Sequence, residues 1–347
     1  MHNVTLKPSE QQFQVEDGET ILAAALRQGL VLPYGCKNGA CGSCKGKILE
    51  GSVDYGVYQK RVFTDEEKAQ GKALFCQAKP LGDVVIEARA IGATKGIQIK
   101  TLPCRVQTLE RAADDVIVLR VKLPANEKMK FLAGQFIEFL LKDGTRRSFS
   151  MANPPHDAEL IELHVRRVAS GKFTEHVFEK MKERDILRFE GPLGVFFLRE
   201  ESPKPIVLVA SGTGFAPIKS LVEDALQRGI ERPMTLYWGG RRPKDLYLNA
   251  LAEKWASEHA SFKYVPVISD ALPEDQWQGR SGFVHRAAMQ DFPDLSGHQV
   301  YACGVPIMVD SARRDFTAAC KLPEDEFYAD SFTTQADLAQ PAAASPK

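Results

Sequence analysis

Apolar and polar positions change rhythm twice along the chain, and each rhythm predicts a different architecture. Near the start, Val4, Leu6, Phe13 and Val15 alternate with polar neighbours, which predicts a hairpin over residues 4–6 and 13–15. Thr20 then caps a helix running to Arg27, and Gly29 ends it. Residues 45–49 predict a strand, 64–70 a short capped helix stopped by Gly71, and 84–88 a closing strand. Residues 90–100 read as a linker. From Leu102 the rhythm becomes that of strands without long helices between them: 105–111, 116–123, 135–141, 146–151, 160–168 and 185–189. Six such strands suffice for a closed antiparallel barrel. Ile161, Leu163 and Val165 alternate with Glu162, His164 and Arg166, so one face of that strand should be buried and the other polar. One helix, 173–181, interrupts the run. The third rhythm begins with the continuous apolar strand 206–210, followed by S-G-T-G-F-A-P and a helix face of Ile218, Leu221, Val222, Ala225 and Leu226 that Gly229 terminates. Pro217 suits the first helical position. Strands at 235–238, 262–268, 300–303 and 326–329 alternate with helices at 246–257 and 306–320, which predicts a parallel sheet with right-handed crossovers.

Composition narrows the class. The chain of 347 residues is too long for one ordinary core, so two or three domains are expected. Lys plus Arg and Asp plus Glu number 45 each, which leaves no global attraction to nucleic acid or to a membrane surface. The hydrophobic fraction of 44% is that of a soluble globular protein. No apolar run approaches a membrane span and no signal-type region opens the chain, so the expected compartment is the cytoplasm. Seven cysteines in that setting point to metal or redox chemistry.

The cysteines carry the sharpest signal. Residues 34–44 read Y-G-C-K-N-G-A-C-G-S-C, so Cys36, Cys41 and Cys44 form C-x4-C-x2-C, with Cys76 further on in F-C-Q. That is plant-type 2Fe-2S spacing. Gly35, Gly39 and Gly42 allow the tight loop that brings backbone N–H groups toward sulfide. The rival is a four-cysteine zinc knot, which favours paired C-x2-C elements, and only one such pair exists here. Cys104, Cys303 and Cys320 are left over.

Two segments of the barrel suit a flavin nucleotide. R-S-F-S, residues 147–150, offers an arginine for phosphate, an aromatic ring to lie against an isoalloxazine and a hydroxyl for the ring edge. G-K-F-T, residues 171–174, opens a helix whose N-terminus can hold pyrophosphate. Taken alone, R-x-F-S also describes an ordinary solvated strand face. In the third region, the turn Gly212-Thr213-Gly214 and the pair Cys303-Gly304 both fall at carboxyl ends of strands, where open parallel sheets bind ligands. The dinucleotide fingerprint is partial, because Pro217 replaces its third glycine. Gly239, Gly240, Arg241 and Arg242 end the second strand, and no acidic residue stands there to bind a ribose hydroxyl. The arginine pair could take a 2'-phosphate or simply be solvated. Residues 334–347, rich in Ala and Pro, read as a disordered tail.

In that order the motifs resemble an iron-sulfur flavoprotein reductase of the ferredoxin-NADP reductase superfamily. The likeness covers nearly the whole chain and also includes Y-W-G-G-R-R and C-G-V-P-I-M. Within that superfamily the chain most resembles CDP-6-deoxy-glucoseen reductases and the reductase components of phenol and aromatic-ring oxygenases. The resemblance implies a multidomain fold: an α+β ferredoxin-like 2Fe-2S domain over 1–92, an antiparallel β-barrel FAD domain over 100–200 and an α/β parallel-sheet nucleotide domain over 203–333. It implies a 2Fe-2S cluster on Cys36, Cys41, Cys44 and Cys76, together with FAD and NADH, with NADPH not excluded. Arg147 would bind FAD phosphate, Phe149 would stack on the flavin and Ser150 would act beside it. Val165, Arg166 and Arg167 would line the flavin, with Gly171, Lys172 and Thr174 at the pyrophosphate. Gly212, Thr213 and Gly214 would approach the dinucleotide, with Arg241 and Arg242 at its far ribose. Cys303 and Gly304 would sit by the nicotinamide; the alternative for Cys303 is a buried small hydrophobe.

The implied activity is hydride transfer from NAD(P)H to flavin, then single-electron transfer through the cluster to a separate protein. That acceptor would be a CDP-6-deoxyhexulose dehydrase or, as the alternative, an oxygenase component, docked at a loop rim that includes Lys37 and Asn38. The reading from another class is a redox relay or sensor without NADH chemistry of its own.

Overall fold

The computed structural model describes residues 1–94 and 96–333, so the expected tail at 334–347 lies outside the described residues. The described residues divide into two compact units, one within 1–96 together with 330–333 and the other Ile97–Ala329.

The first unit contains β1 (His2–Lys7), β2 (Gln11–Val15), α1 (Ile21–Arg27), β3 (Lys45–Glu50), β4 (Val53–Asp54), α2 (Asp65–Ala69), β5 (Lys72–Leu74), β6 (Lys79–Pro80) and β7 (Val84–Glu87). Five strands form one sheet in the order β2-β1-β7-β3-β5, while β4 and β6 pair separately. The hairpin is antiparallel and β1 runs parallel to β7. Val4, Leu6 and Ile86 are fully buried in this sheet, and α1, which packs beside β2, buries Ile21, Leu22, Ala24 and Ala25. Thr20 caps α1 through its side chain, and Gly29 follows at φ +77°. The backbone N–H groups of Ile21 and Leu22 donate to the carbonyls of Ala78 and Phe75, which fixes the segment that carries Cys76. Thr64 and Glu67 cap α2 reciprocally.

The second unit begins with β8 (Lys100–Ala113), β9 (Val116–Lys122), β10 (Phe136–Leu140), β11 (Arg146–Ser150), β12 (Leu160–Arg166), α3 (Lys172–Glu179) and β13 (Ile186–Leu193). The order is β11-β10-β13-β8-β9-β12, and a bridge between Met151 and Leu163 joins its two edges into a barrel. Ala152 N–H donates to Glu162 O at 2.8 Å across the same seam. The interior holds Phe139, Phe189, Ile137, Leu119, Leu163 and Phe173. Closure removes the exposed sheet edges, and each such side chain contributes about 1.5 to 3 kcal/mol of burial.

A parallel sheet follows: β14 (Ile206–Ser211), α4 (Phe215–Gln227), β15 (Met234–Gly240), α5 (Asn249–Glu258), β16 (Phe262–Ile268), β17 (Arg280–Ser281), α6 (Val284–Asp291), β18 (Gln299–Gly304), α7 (Pro306–Ala319) and β19 (Phe327–Ser331). Its order is β17-β16-β15-β14-β18-β19. β14, buried along its length, is paired in parallel on both sides, as its unbroken apolar run requires.

Three sequence expectations change. Pro217 is the third residue of α4, because the helix starts at Phe215 straight after a 3-10 turn over Gly212–Gly214. A proline is tolerated there, since the first four N–H groups have no intrahelical partner. The polar face of β12 is also buried, with Glu162 at 8% and His164 at 4% exposure, because side chains from the parallel-sheet region cover it. Finally, α6 was not foreseen; Val284, Ala287 and Ala288 face the core, but so short an apolar pattern is weak in sequence.

Candidate functional site

In the first unit the cysteine loop has no regular structure and turns by backbone conformation alone. Gly39 and Gly42 lie at φ +75° and +74°, and Lys37 shares the left-handed region at +57°. A Cβ on Gly39 would come within 2.7 Å of the Val57 carbonyl, and one on Gly35 within 3.2 Å of Cys41 Sγ. The segment around residues 57–61 lies over the loop: Gln59 N–H donates to Gly39 O at 3.0 Å, and Arg61 Nη2 to Ala40 O at 2.8 Å. Gln77 Nε2 reaches both Lys37 O at 3.3 Å and Cys76 Sγ at 3.8 Å. Lys37 and Asn38 are half-buried, and Asn38 Nδ2 stands 3.5 Å from Thr333 Oγ1.

The thiols are arranged as two hydrogen-bonded pairs, Cys36 with Cys41 and Cys44 with Cys76. The bond to Cys41 together with burial pushes the Cys36 thiol up, while Cys41 is held low by the same bond. Cys44 is likewise pushed up by its bond to Cys76 and by burial. Among the described residues, no three His, Cys, Asp or Glu side chains gather as a set for one metal ion. Two pairs, one within the glycine-lined loop and one joining Cys44 of the loop to Cys76 after β5, suit a binuclear core, each iron taking two thiolates, better than a single tetrahedral zinc.

In the second unit, alternation along β11 splits its two arginines. Arg146 is ion-paired with Glu138 and Glu190, and Ser148 also bonds Glu138. Arg147 points to the other side, where its only hydrogen bond among the described residues is to Arg146 O at 2.7 Å. Phe149 is half-buried, tilted against Phe173 and Phe139 at 5.3 and 5.9 Å. Ser150 is buried at the barrel seam. Gly171 caps α3 without any side-chain hydrogen bond, so the first N–H groups of that helix, beside Lys172, remain open to an anion. Thr174 Oγ1 accepts from Val168 N–H at 3.1 Å and shapes this turn. Arg167 is occupied by Glu179 and stacks over Phe178. An uncapped helix start with Lys172 beside it, and an arginine that among the described residues has no carboxylate within ion-pair distance although Asp143 feels its charge, fit a flavin nucleotide's phosphates.

The two glycine turns interlock. Gly212 adopts φ +53° and Gly304 +143°. A Cβ on Gly214 would lie 2.1 Å from Cys303 O, and one on Gly304 2.1 Å from Ser211 Oγ, which also accepts from Val305 N–H. Thr213 lies between the two glycines and is half-buried. Cys303 is fully buried at the end of β18. Arg166 reaches from the barrel to Gly212: its Nη1 would be 2.5 Å from a Cβ there, its Nε is 3.1 Å from Asp115 Oδ2, and its buried Nη2 has no hydrogen-bond partner. That unpartnered guanidinium nitrogen beside a turn with no room for side chains fits an anionic dinucleotide. Val165, next to it, is buried and paired with Ile117.

The end of β15 differs from its sequence reading. No acidic residue follows Gly240 directly, yet folding brings Asp245 and Asp275 there. Arg242 is held by Asp275, whereas the Arg241 side chain is 76% exposed.

Sequence reasoning also missed a buried polar cluster behind β12. His164 Nδ1 lies 2.8 Å from Tyr247 Oη and Nε2 3.2 Å from Glu162 Oε1. Lys219 Nζ on α4 lies 3.2 Å from that same oxygen, 2.8 Å from Glu223 Oε2 and 3.2 Å from Ala152 O. Arg120 takes the other Glu162 oxygen. Burial pushes the Glu162 carboxyl up, but His164, Lys219 and Arg120 outweigh it and hold the group well below the usual range. Burial lowers His164 and raises Glu223. The pattern L-H-V-R gave only an alternating strand; the partners come from elements far along the chain.

Three family models match in sequence order: a 2Fe-2S iron-sulfur cluster binding domain over 4–81, an oxidoreductase FAD-binding domain over 103–198 and an oxidoreductase NAD-binding domain over 208–314. The CDP-6-deoxy-L-threo-D-glycero-4-hexulose-3-dehydrase reductase of Yersinia pseudotuberculosis is 40% identical over 95% of this chain and 98% of its own. The chain belongs to the iron-sulfur flavoprotein reductases. It is an NAD(P)H-dependent oxidoreductase of that family, with 2Fe-2S, FAD and NAD as its cofactors. Another member, the reductase component DmpP of phenol 2-monooxygenase from Pseudomonas sp. strain CF600, is 38% identical over 97% of this chain and 96% of its own. Among solved structures, the Amycolatopsis cytochrome P450 reductase GcoB superposes with a TM-score of 0.77 at 33% identity, covering 96% of this chain and 99% of that one. No helix among the described residues is long and apolar enough to cross a membrane.

Proposed function

We propose that this reductase takes hydride from NADH and delivers single electrons to a separate dehydrase acting on a CDP-6-deoxyhexulose. The observation that carries the electron route is the pairing of four thiols, three in the glycine loop and Cys76 after β5, on a chain that also holds a flavin-type helix start and two interlocked nucleotide turns. FAD supplies a two-electron acceptor that can release electrons one at a time, and a 2Fe-2S cluster carries them singly. In our reading Cys36, Cys41, Cys44 and Cys76 hold the cluster. Arg147, Lys172, Gly171 and Thr174 hold the flavin phosphates; Phe149 and Ser150 border the ring, with Val165, Arg166 and Arg167 along its edge. Gly212, Thr213 and Gly214 admit the dinucleotide, and Cys303 with Gly304 flank the nicotinamide. The domain limits we assign are 1–92, 100–200 and 203–333. The seven cysteines, none in a disulfide, suit a reducing compartment, and we place the protein in the cytoplasm.

The choice of acceptor rests on the end-to-end similarity to the Yersinia reductase. The similarity to DmpP supports the second reading, an oxygenase component. Anaerobic addition of NADH to the reconstituted protein tests the core of the proposal: both flavin and cluster absorbance should bleach. A chain that leaves both oxidised would be a relay or sensor. Coupling to a hydroxylase component but to no CDP-sugar dehydrase would reverse the ranking of acceptors.

A further inference from the structure

The end of β15 carries an inference about which nicotinamide nucleotide the protein takes, and it rests on the reductase reading above. Gly239 pairs in register with Ser211, so the end of this second strand stands beside the first glycine turn. In such sheets the adenosine ribose of a dinucleotide falls there, and a 2'-phosphate needs free cations or N–H donors at that point. Here most of the donors are already taken; the exception is the Arg241 guanidinium, which is 76% exposed and turned to solvent with its Nε 3.9 Å from Asp245 Oδ2. The backbone N–H groups of Arg241 and Arg242 both donate to Asp245 Oδ2, at 2.9 and 3.1 Å. The Arg242 guanidinium is forked onto Asp275, Nε to Oδ2 at 2.5 Å and Nη2 to Oδ1 at 2.8 Å, with Glu274 Oε1 3.4 Å from Nη2. Asp275 is itself fixed by the N–H of Leu272 at 2.9 Å, at the start of a 3-10 turn over Pro273–Asp275. Lys244 pairs with Asp114 at 3.2 Å.

We propose that Asp275 selects NADH over NADPH by neutralising Arg242, the cation that would otherwise receive the 2'-phosphate. A phosphate entering this pocket must displace one carboxylate and lie beside two others, Asp245 and Glu274. A ribose hydroxyl meets no such repulsion, and it can donate to a carboxylate. The acidic group that the sequence lacks after Gly240 is thus supplied by a loop beyond β16.

The test uses the FAD- and cluster-loaded protein with ferricyanide as acceptor. Wild type should show kcat/KM at least about tenfold higher for NADH than for NADPH, the scale of one charge-assisted contact. Asp275→Asn frees the arginine and should move that ratio about tenfold toward NADPH. Arg242→Ala, which removes the cation instead of freeing it, should leave the preference with NADH and should cancel the shift when added to Asp275→Asn. Calorimetric binding of 5'-ADP and 2',5'-ADP to the same proteins reads the pocket without turnover and should show the same reversal. A wild type that uses NADPH as well as NADH, or an Asp275→Asn variant whose ratio and ADP preference do not move, would overturn the proposal. Failure of either nucleotide to reduce the flavin, with the ADP preference intact, would instead overturn the reductase reading.

Discussion

Replacing Lys219 by methionine removes the central charge of the buried cluster behind β12 while keeping the length of the side chain. Lys219 is about one-tenth exposed and touches two carboxylates and a backbone carbonyl. Removing one partner of a buried ion pair costs about 3 to 5 kcal/mol, because the remaining charge stays desolvated. Arg120 still holds one Glu162 oxygen and His164 the other, so the lower end applies, about 3 kcal/mol. For a unit of this size that corresponds to a fall in Tm of about 6 to 12 °C. Thermal and urea unfolding of the FAD-loaded protein measure it. Adding Glu162→Gln to Lys219→Met should cost less than the sum of the two single changes, since the second change removes the stranded anion. The deficit should also narrow as pH falls and the stranded carboxylates take up protons. A Lys219→Met protein within about 1 kcal/mol of wild type, or strictly additive losses in the double variant, would refute the view that this cluster acts as one electrostatic unit.

Cys76→Ser should remove or weaken the cluster, read as loss of acid-labile sulfide and of visible absorbance after anaerobic reconstitution; zinc in the wild-type protein would contradict the assignment. Arg147→Ala should lower FAD affinity tenfold or more, since a charge-assisted phosphate contact contributes about 1.5 to 3 kcal/mol, and unchanged flavin occupancy would remove Arg147 from the site. Cys303→Ala should slow flavin reduction in stopped-flow experiments more than it weakens nucleotide binding; a wild-type limiting rate would make Cys303 a packing residue. His164→Gln should flatten the acid side of the stability profile. Burial lowers His164 in the fold, so the unfolded chain binds more protons as pH drops below about 6.5 and stability is lost there.

What could be read from the sequence was whatever depends on local spacing. The alternation of Ile161, Leu163 and Val165, the unbroken run of β14 and the caps at Thr20 and Thr64 each state their role within a few residues, and the structure has those elements at those places. What could not be read depends on partners distant in the chain. Glu162 and His164 looked like a solvent face because nothing nearby announces Lys219 or Tyr247. Arg242 looked free because Asp275 arrives from beyond the next strand. Pro217 was placed by the usual preference for a helix start, and the 3-10 turn before α4 moved that start by two residues.

The interlocking of the two glycine turns has a consequence for anyone who sets out to redesign this protein. Gly214 abuts the Cys303 carbonyl and Gly304 abuts Ser211, so each turn is a wall of the other's space. Libraries that randomise Gly214 would return mostly inactive clones, because the wall it meets is the Cys303 backbone and cannot be trimmed by a compensating substitution, whereas the first atom Gly304 meets is the Ser211 hydroxyl, which can. The two turns are therefore rigid to mutation where backbone meets backbone, and the end of β15 is permissive, where Arg242 and Asp275 meet by side chains alone. New coenzyme preferences should be sought at that strand end.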